Sequence, residues 1–226
     1  MKSRSKRYKE SEKKVDANKT YGLKEAITTL KELAPIKFDA SVDLHFNLNV
    51  DSKKSDQLVR GTVILPHGTG KKIRVMVFCK GESEKIAKEA GADYVGSQEL
   101  IDKVSQGFLG FDCAIATPEM MKDLSRLGKI LGPRGLMPSP KTGTVTNDIE
   151  KAIRDVKKGK VEFRTDKQGG IHLSVGKISF PEEKIYDNAV RLIDALNEAR
   201  PHSVKGKFVK SAFISSTMNL GLRLEI

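Results

Sequence analysis

The chain has 226 residues, a formal net charge of +12 at pH 7, 38% hydrophobic residues and a negative mean hydropathy. This composition is typical of one large or two small soluble globular domains, and no run of about eighteen apolar residues predicts a membrane span. The first residues lack the apolar stretch of a signal peptide, and Cys79 and Cys113 are expected to be reduced core thiols, as in a cytosolic protein.

Half of the excess positive charge lies at the start of the chain. Residues 1–24 hold nine Lys and Arg against three Asp and Glu. A basic arm of this kind typically binds a phosphate backbone without reading its sequence. The alternative is a solvated terminus that binds nothing.

The first third of the chain is predicted to form a helix and two strands. Apolar residues at helical spacing predict an amphipathic helix over 22–34, ended by Pro35. Strict alternation over 42–50 predicts a strand with one buried and one solvated face, and residues 61–65 predict a second strand.

The middle third has a different pattern, in which short apolar runs alternate with helical stretches. Such strand–helix repetition predicts a small parallel sheet covered on both faces. The predicted strands lie at 73–79, 92–95 and 113–116, and the predicted helices at 83–90, 98–106, 118–127 and 148–158.

The alternating pattern returns after Gly159. Residues 160–164 and 171–175 are predicted to pair as a hairpin, followed by a helix over 182–199. Strands over 208–217 and 220–226 complete the chain.

The predicted fold class is therefore α/β plus α+β, with an α/β domain inserted into a split α+β domain formed by both ends of the chain. The chain crosses twice between these domains, and Gly or Pro at both crossings predicts a hinge. The predicted boundaries are 1–66 and 160–226 for the split domain and 67–159 for the insert, with the hinge near 66–70 and 158–160 at Pro66, Gly68, Gly70 and Gly159.

Residues 129–146, KILGPRGLMPSPKTGTVT, are the segment that ordinary packing explains least. Its Gly and Pro residues predict a loop of defined shape rather than a helix or central strand. Arg134 and Lys141 are among the cations of this loop. A shaped basic loop on a basic protein suggests a phosphate-rich partner.

No catalytic or cofactor motif is present. Residues 67–72, HGTGKK, fail the phosphate-loop spacing because Leu65 replaces the first glycine and Lys72 replaces the Ser or Thr. The four histidines lack metal-ligand spacing, and no serine lies in a GxSxG elbow. No metal or cofactor is predicted, and a basic Rossmann-type nucleotide-dependent enzyme is the alternative function.

Several long strings resemble the bacterial ribosomal protein L-one family. Among them are KFDASVDLHFNLNV, GKILGPRGLMPSPKTGTVTNDI and ISSTM, and the resemblance extends from about Tyr21 to Met218. It implies a split α+β domain with a hinged, Rossmann-like insert and no enzymatic activity. It also implies binding to a stalk junction of large-subunit ribosomal RNA, assistance to the spent tRNA at the exit site, and repression of translation through a similar RNA structure in the protein's own messenger.

The resemblance also assigns site residues. Considered without it, Phe38 would be a core residue and the hydroxyls near 211–217 would be solvent-facing strand residues. The family implies instead an RNA surface at Lys37, Phe38, Ser41, Ser211, Thr217 and Met218, with Lys167 and Gly169 nearby. Arg134 and Lys141 are expected to be secondary contacts with RNA or tRNA when the hinge closes. Alternatively, the Gly and Pro residues of their loop only shape the inserted domain.

The chain departs from the family at Asn219, where glycine is usual. Asn tolerates the left-handed conformation better than most residues, so the turn is expected to survive. Alternatively, a side chain at this position shifts or weakens the RNA contact.

Overall fold

The computed structural model describes residues 4–16, 19–33, 36–51, 54–204 and 206–225. It divides into two compact units, Met1–Gly70 with Val161–Ile226, and Lys71–Lys160. The helices and strands, in chain order, are α1 (Lys6–Lys14), α2 (Leu23–Glu32), β1 (Ser41–Leu48), β2 (Arg60–Ile64), β3 (Val75–Phe78), α3 (Glu82–Glu89), β4 (Tyr94–Gly96), α4 (Gln98–Ser105), β5 (Cys113–Ala116), α5 (Met121–Leu124), α6 (Gly128–Leu131), α7 (Ile149–Lys158), β6 (Lys160–Arg164), β7 (Gly170–Lys177), α8 (Glu182–Glu198), β8 (Val209–Ser216) and β9 (Gly221–Leu224).

The first unit is built on a four-stranded sheet of order β7-β1-β8-β9, in which all three strand pairs are antiparallel. Helices α2 and α8 pack against one face of this sheet. The predicted alternation of β1 is confirmed, since Leu44 and Phe46 enter the core while Asp43 and His45 do not. The other face, which we call the open face, carries the partly exposed side chains.

The second unit contains a three-stranded parallel sheet of order β4-β3-β5. Successive residues of β3 enter two different cores, Met76 and Phe78 on one face and Val75 and Val77 on the other. Both faces are therefore covered, as the apolar strands predict. The mixed α/β class is confirmed, whereas the Rossmann-like character of this unit stays a prediction.

The predicted hairpin of 160–164 with 171–175 is wrong. Strand β6 pairs with β2 in a separate two-stranded sheet, while β7 pairs with β1. The Phe163 ring of β6 packs so closely against Gly61 of β2 that a Cβ at Gly61 would lie 2.6 Å from Phe163 Cζ. Alternation identifies a strand but does not name its partner, and here the partner is about a hundred residues away.

The predicted helix over 118–127 is a succession of short 3-10 and α segments that continues to Leu131. Met120, Leu124, Leu127 and Leu131 are all buried, so the helical spacing extends into the glycine-rich loop. The prediction that 129–146 contains no helix is therefore wrong for its first three residues, and also for Pro140–Thr142, which form a short 3-10 helix. The end of the predicted helix at 34–35 lies outside the described residues.

Candidate nucleic-acid interface

Two distant stretches of sequence meet where β1 begins and β8 ends. Since Val42 pairs with Ser216, Ser41 lies opposite Thr217. The Thr217 amide donates to the Ser41 carbonyl over 3.0 Å, and the Ser41 amide donates to Thr217 Oγ1 over 3.1 Å. The backbone and a hydroxyl side chain thus close this end of the sheet. We call the residues gathered here, Lys37, Phe38, Ser41, Thr217 and Met218, the tip cluster.

Met218 occupies an unfavourable conformation in the turn between β8 and β9. The Asn219 amide donates to the Ser216 carbonyl over 3.0 Å, with Met218 at φ 69° in the third position. This is the geometry of a type II turn, whose third residue is usually Gly or Asn. Met218 is the only non-glycine residue with positive φ in the part of the chain that the structure describes. Strained residues of this kind concentrate at functional sites.

Asn219 stabilises the turn without adopting the left-handed conformation itself. Its side-chain amide donates to Ser216 Oγ over 2.9 Å, and the Ser216 side chain is buried. The turn therefore survives the exchange of glycine for asparagine, but the left-handed residue is Met218.

The tip cluster is apolar as well as polar. Met218 is 66% exposed and Phe38 is 52% exposed, the two highest values among the large hydrophobic residues that the structure describes. Phe38 and Asn219 both line a cleft of about 230 Å³, with Leu33, Ile36, Ala40, Ile178 and Lys31. Exposed apolar groups beside hydroxyls and cations suit the ribose and phosphate surface of folded RNA.

Lys177 is part of this region, although the sequence gives no signal for it. Its ammonium group donates to Ser41 Oγ over 3.1 Å and to the Asp39 carbonyl over 3.2 Å. Antiparallel pairing of β7 with β1 places Lys177 opposite Ser41. Because this neighbour is fixed by strand register, only the three-dimensional structure identifies it.

Three of the predicted residues lie at the other end of the sheet. Ser211 pairs with Asn47, and Asn47 also pairs with Gly170 at the start of β7. At about 3.3 Å per residue, Ser211 is roughly 20 Å from Thr217 along β8. The structure therefore does not bring Ser211, Lys167 and Gly169 together with the tip cluster.

The loop before β7 is held by Asp166. Its carboxylate accepts hydrogen bonds from the amides of Gln168 and Gly170 over 2.8 and 2.6 Å, and the Gly170 bond is the main reason that the pKa of Asp166 is lowered. Lys167 is exposed, whereas Gly169 is buried with φ 81° beside the Leu48 carbonyl. Gly169 thus shapes this loop, and Lys167 is the residue that faces solvent.

A row of side chains on the open face lies between the two ends. His45 on β1 pairs with His172 on β7 and with Phe213 on β8, which in turn pairs with Arg223 on β9. Phe213 is 36% exposed, so an aromatic ring stands in the middle of the sheet. Sequence reasoning missed this row, because alternation shows which residues face outward but not which residues are adjacent.

A hydrogen-bonded network runs through the same row. Nδ1 of His45 lies 3.0 Å from Nδ1 of His172, and Nε2 of His45 lies 2.9 Å from Ser215 Oγ. Nε2 of His172 is 3.7 Å from the Asp166 carboxylate. Burial, followed by the nearby His172, lowers the pKa of His45. The network favours a neutral His45 and fixes the ring orientations at the centre of the open face.

The predicted secondary contacts lie in the second unit. Arg134 and Lys141 are both exposed. The loop that carries them is shaped internally, with Thr144 Oγ1 accepting from the Ser139 amide over 2.8 Å and lying 2.9 Å from Thr142 Oγ1. Their side chains are therefore presented to solvent by an ordered loop.

The predicted hinge residues have local structural roles. Gly68 and Gly70 have φ of 65° and 71°, and buried Asn188 donates its amide to the Gly68 carbonyl over 2.9 Å. Gly159 ends α7 in the left-handed conformation at φ 107°, and Pro66 directly follows Leu65 beyond β2. These roles explain the glycines, and the hinge stays a prediction.

Features that would support the alternative enzyme are missing from the described residues. The helix after β3 begins with Glu82 and Glu84, whose charge opposes a phosphate at its N-terminus. Burial raises the pKa of the Cys79 thiol to about 11, so it is not an activated nucleophile. Across the described ranges, no group of three His, Cys, Asp or Glu residues is arranged to hold a metal ion, and no helix has the length and apolar character to cross a membrane.

Comparison with known proteins gives a consistent result over the whole chain. The model of the "Ribosomal protein L1p/L10e family" matches residues 30–220. The large ribosomal subunit protein uL1 of Thermosipho melanesiensis is 53% identical over 225 residues, covering 99% of this chain and 97% of that protein. Those of Fervidobacterium nodosum and Thermosipho africanus are 53% and 51% identical, each over 100% of this chain and 97% of the relative.

Proposed function

Because this chain belongs to the ribosomal protein L1p/L10e family, a family of ribosomal proteins and not of enzymes, we propose that the open face of its four-stranded sheet binds the stalk junction of large-subunit ribosomal RNA. The chain is accordingly a structural constituent of the large ribosomal subunit of the cytoplasmic ribosome. The tip cluster is the principal contact in this proposal. The residues around Ser211 and Lys167 extend it along the sheet.

The observation that carries the proposal is the state of Met218. The Met218 side chain is 66% exposed, so most of it gains nothing from burial in the isolated protein, and its left-handed backbone costs about 1–2 kcal/mol. A partner that covers the side chain would bury it, and the turn already holds it in the conformation that is covered. Phe38 is exposed at the same end of the sheet, and the Ser41 hydroxyl, which accepts from Lys177, can donate to a ribose or phosphate oxygen. Thr217 Oγ1 donates to the Ser41 carbonyl over 3.3 Å and accepts from the Ser41 amide, so it offers RNA only a further acceptor position.

The charge distribution supports a nucleic acid as the partner. The net charge is +12, and the tip cluster contains the exposed Lys37. Lys177 adds a second cation next to the cluster, where it donates to Ser41. Cations near phosphates release counterions, so binding strengthens as salt falls. Aromatic and apolar side chains on an open sheet face can pack against unpaired bases and ribose rings of folded RNA. Side chains cannot reach the bases through the deep, narrow major groove of an A-form helix.

We further propose two activities that depend on the same surface or on the second unit. Binding of a similar RNA structure in the protein's own messenger would repress its translation, because the same open face would be occupied. Arg134 and Lys141, exposed on their ordered loop, would contact the deacylated tRNA as it leaves through the exit site. A hinge at 66–70 and 158–160 would let the second unit move during that release.

A binding titration tests the proposal with three RNAs, namely the ribosomal stalk junction, the leader of the protein's own messenger and an unrelated hairpin. We expect the junction and the leader to bind more tightly than the hairpin, and all affinities to fall as salt rises from about 50 to 200 mM. Lys37→Gln should lower the slope of log affinity against log salt by about 1. Lys85→Gln, an exposed lysine of α3, serves as the matched control and should leave the slope unchanged.

Equal affinity for all three RNAs would mean that the protein is a general RNA chaperone, with no preference for the junction. Absence of binding to the junction at low salt would rule out the open face as an RNA surface.

A further inference from the structure

The basic start of the chain is not a solvated arm where the structure describes it. Residues 6–14 form helix α1, whose N-cap Ser5 accepts a hydrogen bond from the Tyr8 amide. One side of this helix docks on the first unit. Ser11 is fully buried, Lys14 donates to the Glu32 carbonyl over 3.2 Å, and Val15, directly after the helix, packs against the core.

Arg7 lies on the same docked side and reaches the tip cluster. Its Nη2 donates a hydrogen bond to the Met218 carbonyl over 2.9 Å, although the two residues are 211 positions apart in the chain. The bond therefore joins the N-terminal helix to the residue that holds the left-handed turn between β8 and β9. It acts on the peptide group that follows the strained φ of Met218.

The other half of the Arg7 guanidinium indicates how the residue acts. Nη1 is buried and has no hydrogen-bond partner among the described residues. A buried atom cannot touch an RNA phosphate while α1 is docked. With Nη2 on the Met218 carbonyl, the guanidinium is engaged with the turn, while the Arg7 side chain as a whole is partly exposed. The salt dependence of binding distinguishes an action through the turn from a direct phosphate contact.

We propose that Arg7 is a positioning residue for the RNA surface, and that docked α1 holds the Met218 turn in its left-handed, binding-competent conformation. This inference rests on the proposed function for its RNA part. Its structural part, the dependence of the turn on Arg7, is independent of any RNA.

The structural part is tested on the full chain without RNA. The Asn219 amide closes the turn by donating to Ser216, so its hydrogen exchange reports how often the turn opens. Arg7→Met should speed this exchange by about tenfold, the loss expected for a hydrogen bond from a charged donor. Lys9→Met removes an exposed charge from the same helix and should leave the exchange rate unchanged.

The RNA part uses the same variants with the stalk-junction RNA. Arg7→Met should weaken binding, at both low and high salt, by the factor by which the closed, binding-competent fraction of the turn falls, with an unchanged salt slope because no phosphate contact is lost. In a Met218→Gly background the turn adopts positive φ without strain, so Arg7→Met should then weaken binding less than it does in the wild-type chain.

Each result has a definite meaning. Unchanged Asn219 exchange in Arg7→Met would overturn the positioning role, whatever the RNA data show. A salt slope lowered by about 1 in Arg7→Met would mean that Arg7 binds phosphate directly, which also overturns it. If the wild-type protein fails to bind the junction while the exchange effect is present, the proposed function fails and the structural role of Arg7 stands.

Discussion

Replacement of Met218 by glycine and by alanine separates the backbone strain of the turn from the contact made by the side chain. Alanine keeps the cost of the left-handed conformation, about 1–2 kcal/mol for a residue with a Cβ, whereas glycine removes it. Glycine loses about 0.5–1 kcal/mol through the greater freedom of the unfolded chain. Met218→Gly should therefore be more stable than Met218→Ala by about 0.5–1 kcal/mol. At most positions the alanine variant is the more stable of the two.

Both variants should bind the stalk-junction RNA more weakly. Full burial of a methionine side chain stabilises by about 1.5–3 kcal/mol, and 66% of Met218 is available for burial by a partner. The expected loss is about 1–2 kcal/mol, or roughly a five- to thirtyfold weaker affinity. Urea unfolding measures the first quantity, and RNA titration measures the second.

Ile86→Ala is the matched control, since Ile86 is also exposed and apolar but lies on α3 in the second unit. It should leave the RNA affinity unchanged. The reasoning would be refuted if Met218→Ala were as stable as Met218→Gly, because the turn would then not be strained. Wild-type RNA affinity in both variants would show that the tip cluster is not the contact.

Three further predictions follow from the hydrogen bonds and charges of the site. Thr217→Val removes the acceptor for a sheet amide, so it should lower the free energy of unfolding in urea by about 1 kcal/mol and weaken RNA binding by more than about 1 kcal/mol. An unchanged RNA affinity would show that this hydroxyl is not part of the interface. The lowered pKa of His45 means that the unfolded chain binds its proton more tightly, so stability should fall as pH drops below about 6.5; melting temperatures between about pH 5 and 7.5 should vary less in His45→Gln, and an identical pH profile would contradict this. The double variant Arg134→Gln with Lys141→Gln should leave junction affinity within about twofold and weaken tRNA binding at low salt, whereas a large loss on the junction would make their loop a primary contact.

The outward-facing residues of the first unit can be predicted from the sequence, because a strand has a period of two. Alternation in β1 is enough to place Ser41, Asp43 and His45 on one face. It cannot give the register between β1 and β8, which are separated by more than a hundred residues. The contacts of Ser41 with Thr217, and of His45 with Phe213, depend on that register.

The family resemblance assigns residues that physical reasoning alone does not. Phe38 is predicted to be a core residue when the resemblance is set aside, because an exposed aromatic is unfavourable in an isolated protein. The structure exposes it beside the tip, which propensity cannot anticipate. The resemblance assigns all of these residues to one surface. The distance along β8 between Ser211 and Thr217 separates them into two groups, one at each end of the sheet.

The role of the N-terminal helix is beyond the reach of composition. A count of charges predicts attraction to phosphate, and it treats every cation in residues 1–24 alike. The structure distinguishes Arg7, which bonds to the Met218 carbonyl, from exposed Lys9 on the same helix. That distinction arises from the docking of α1, so it follows from tertiary packing rather than from charge.

The end of the sheet at β1 and β8 combines features that would each be unfavourable if the protein acted alone. Met218 is strained and exposed, Phe38 is exposed, and Arg7 leaves one buried nitrogen without a partner among the described residues. Surrounding groups hold the turn in place. Asn219 bonds to the buried Ser216 hydroxyl from one side, and α1 holds the Met218 carbonyl from the other. A turn that is restrained in this way loses little conformational entropy when a partner covers it. Its strain therefore lowers the free energy of unfolding of the protein and does not weaken the binding of the partner.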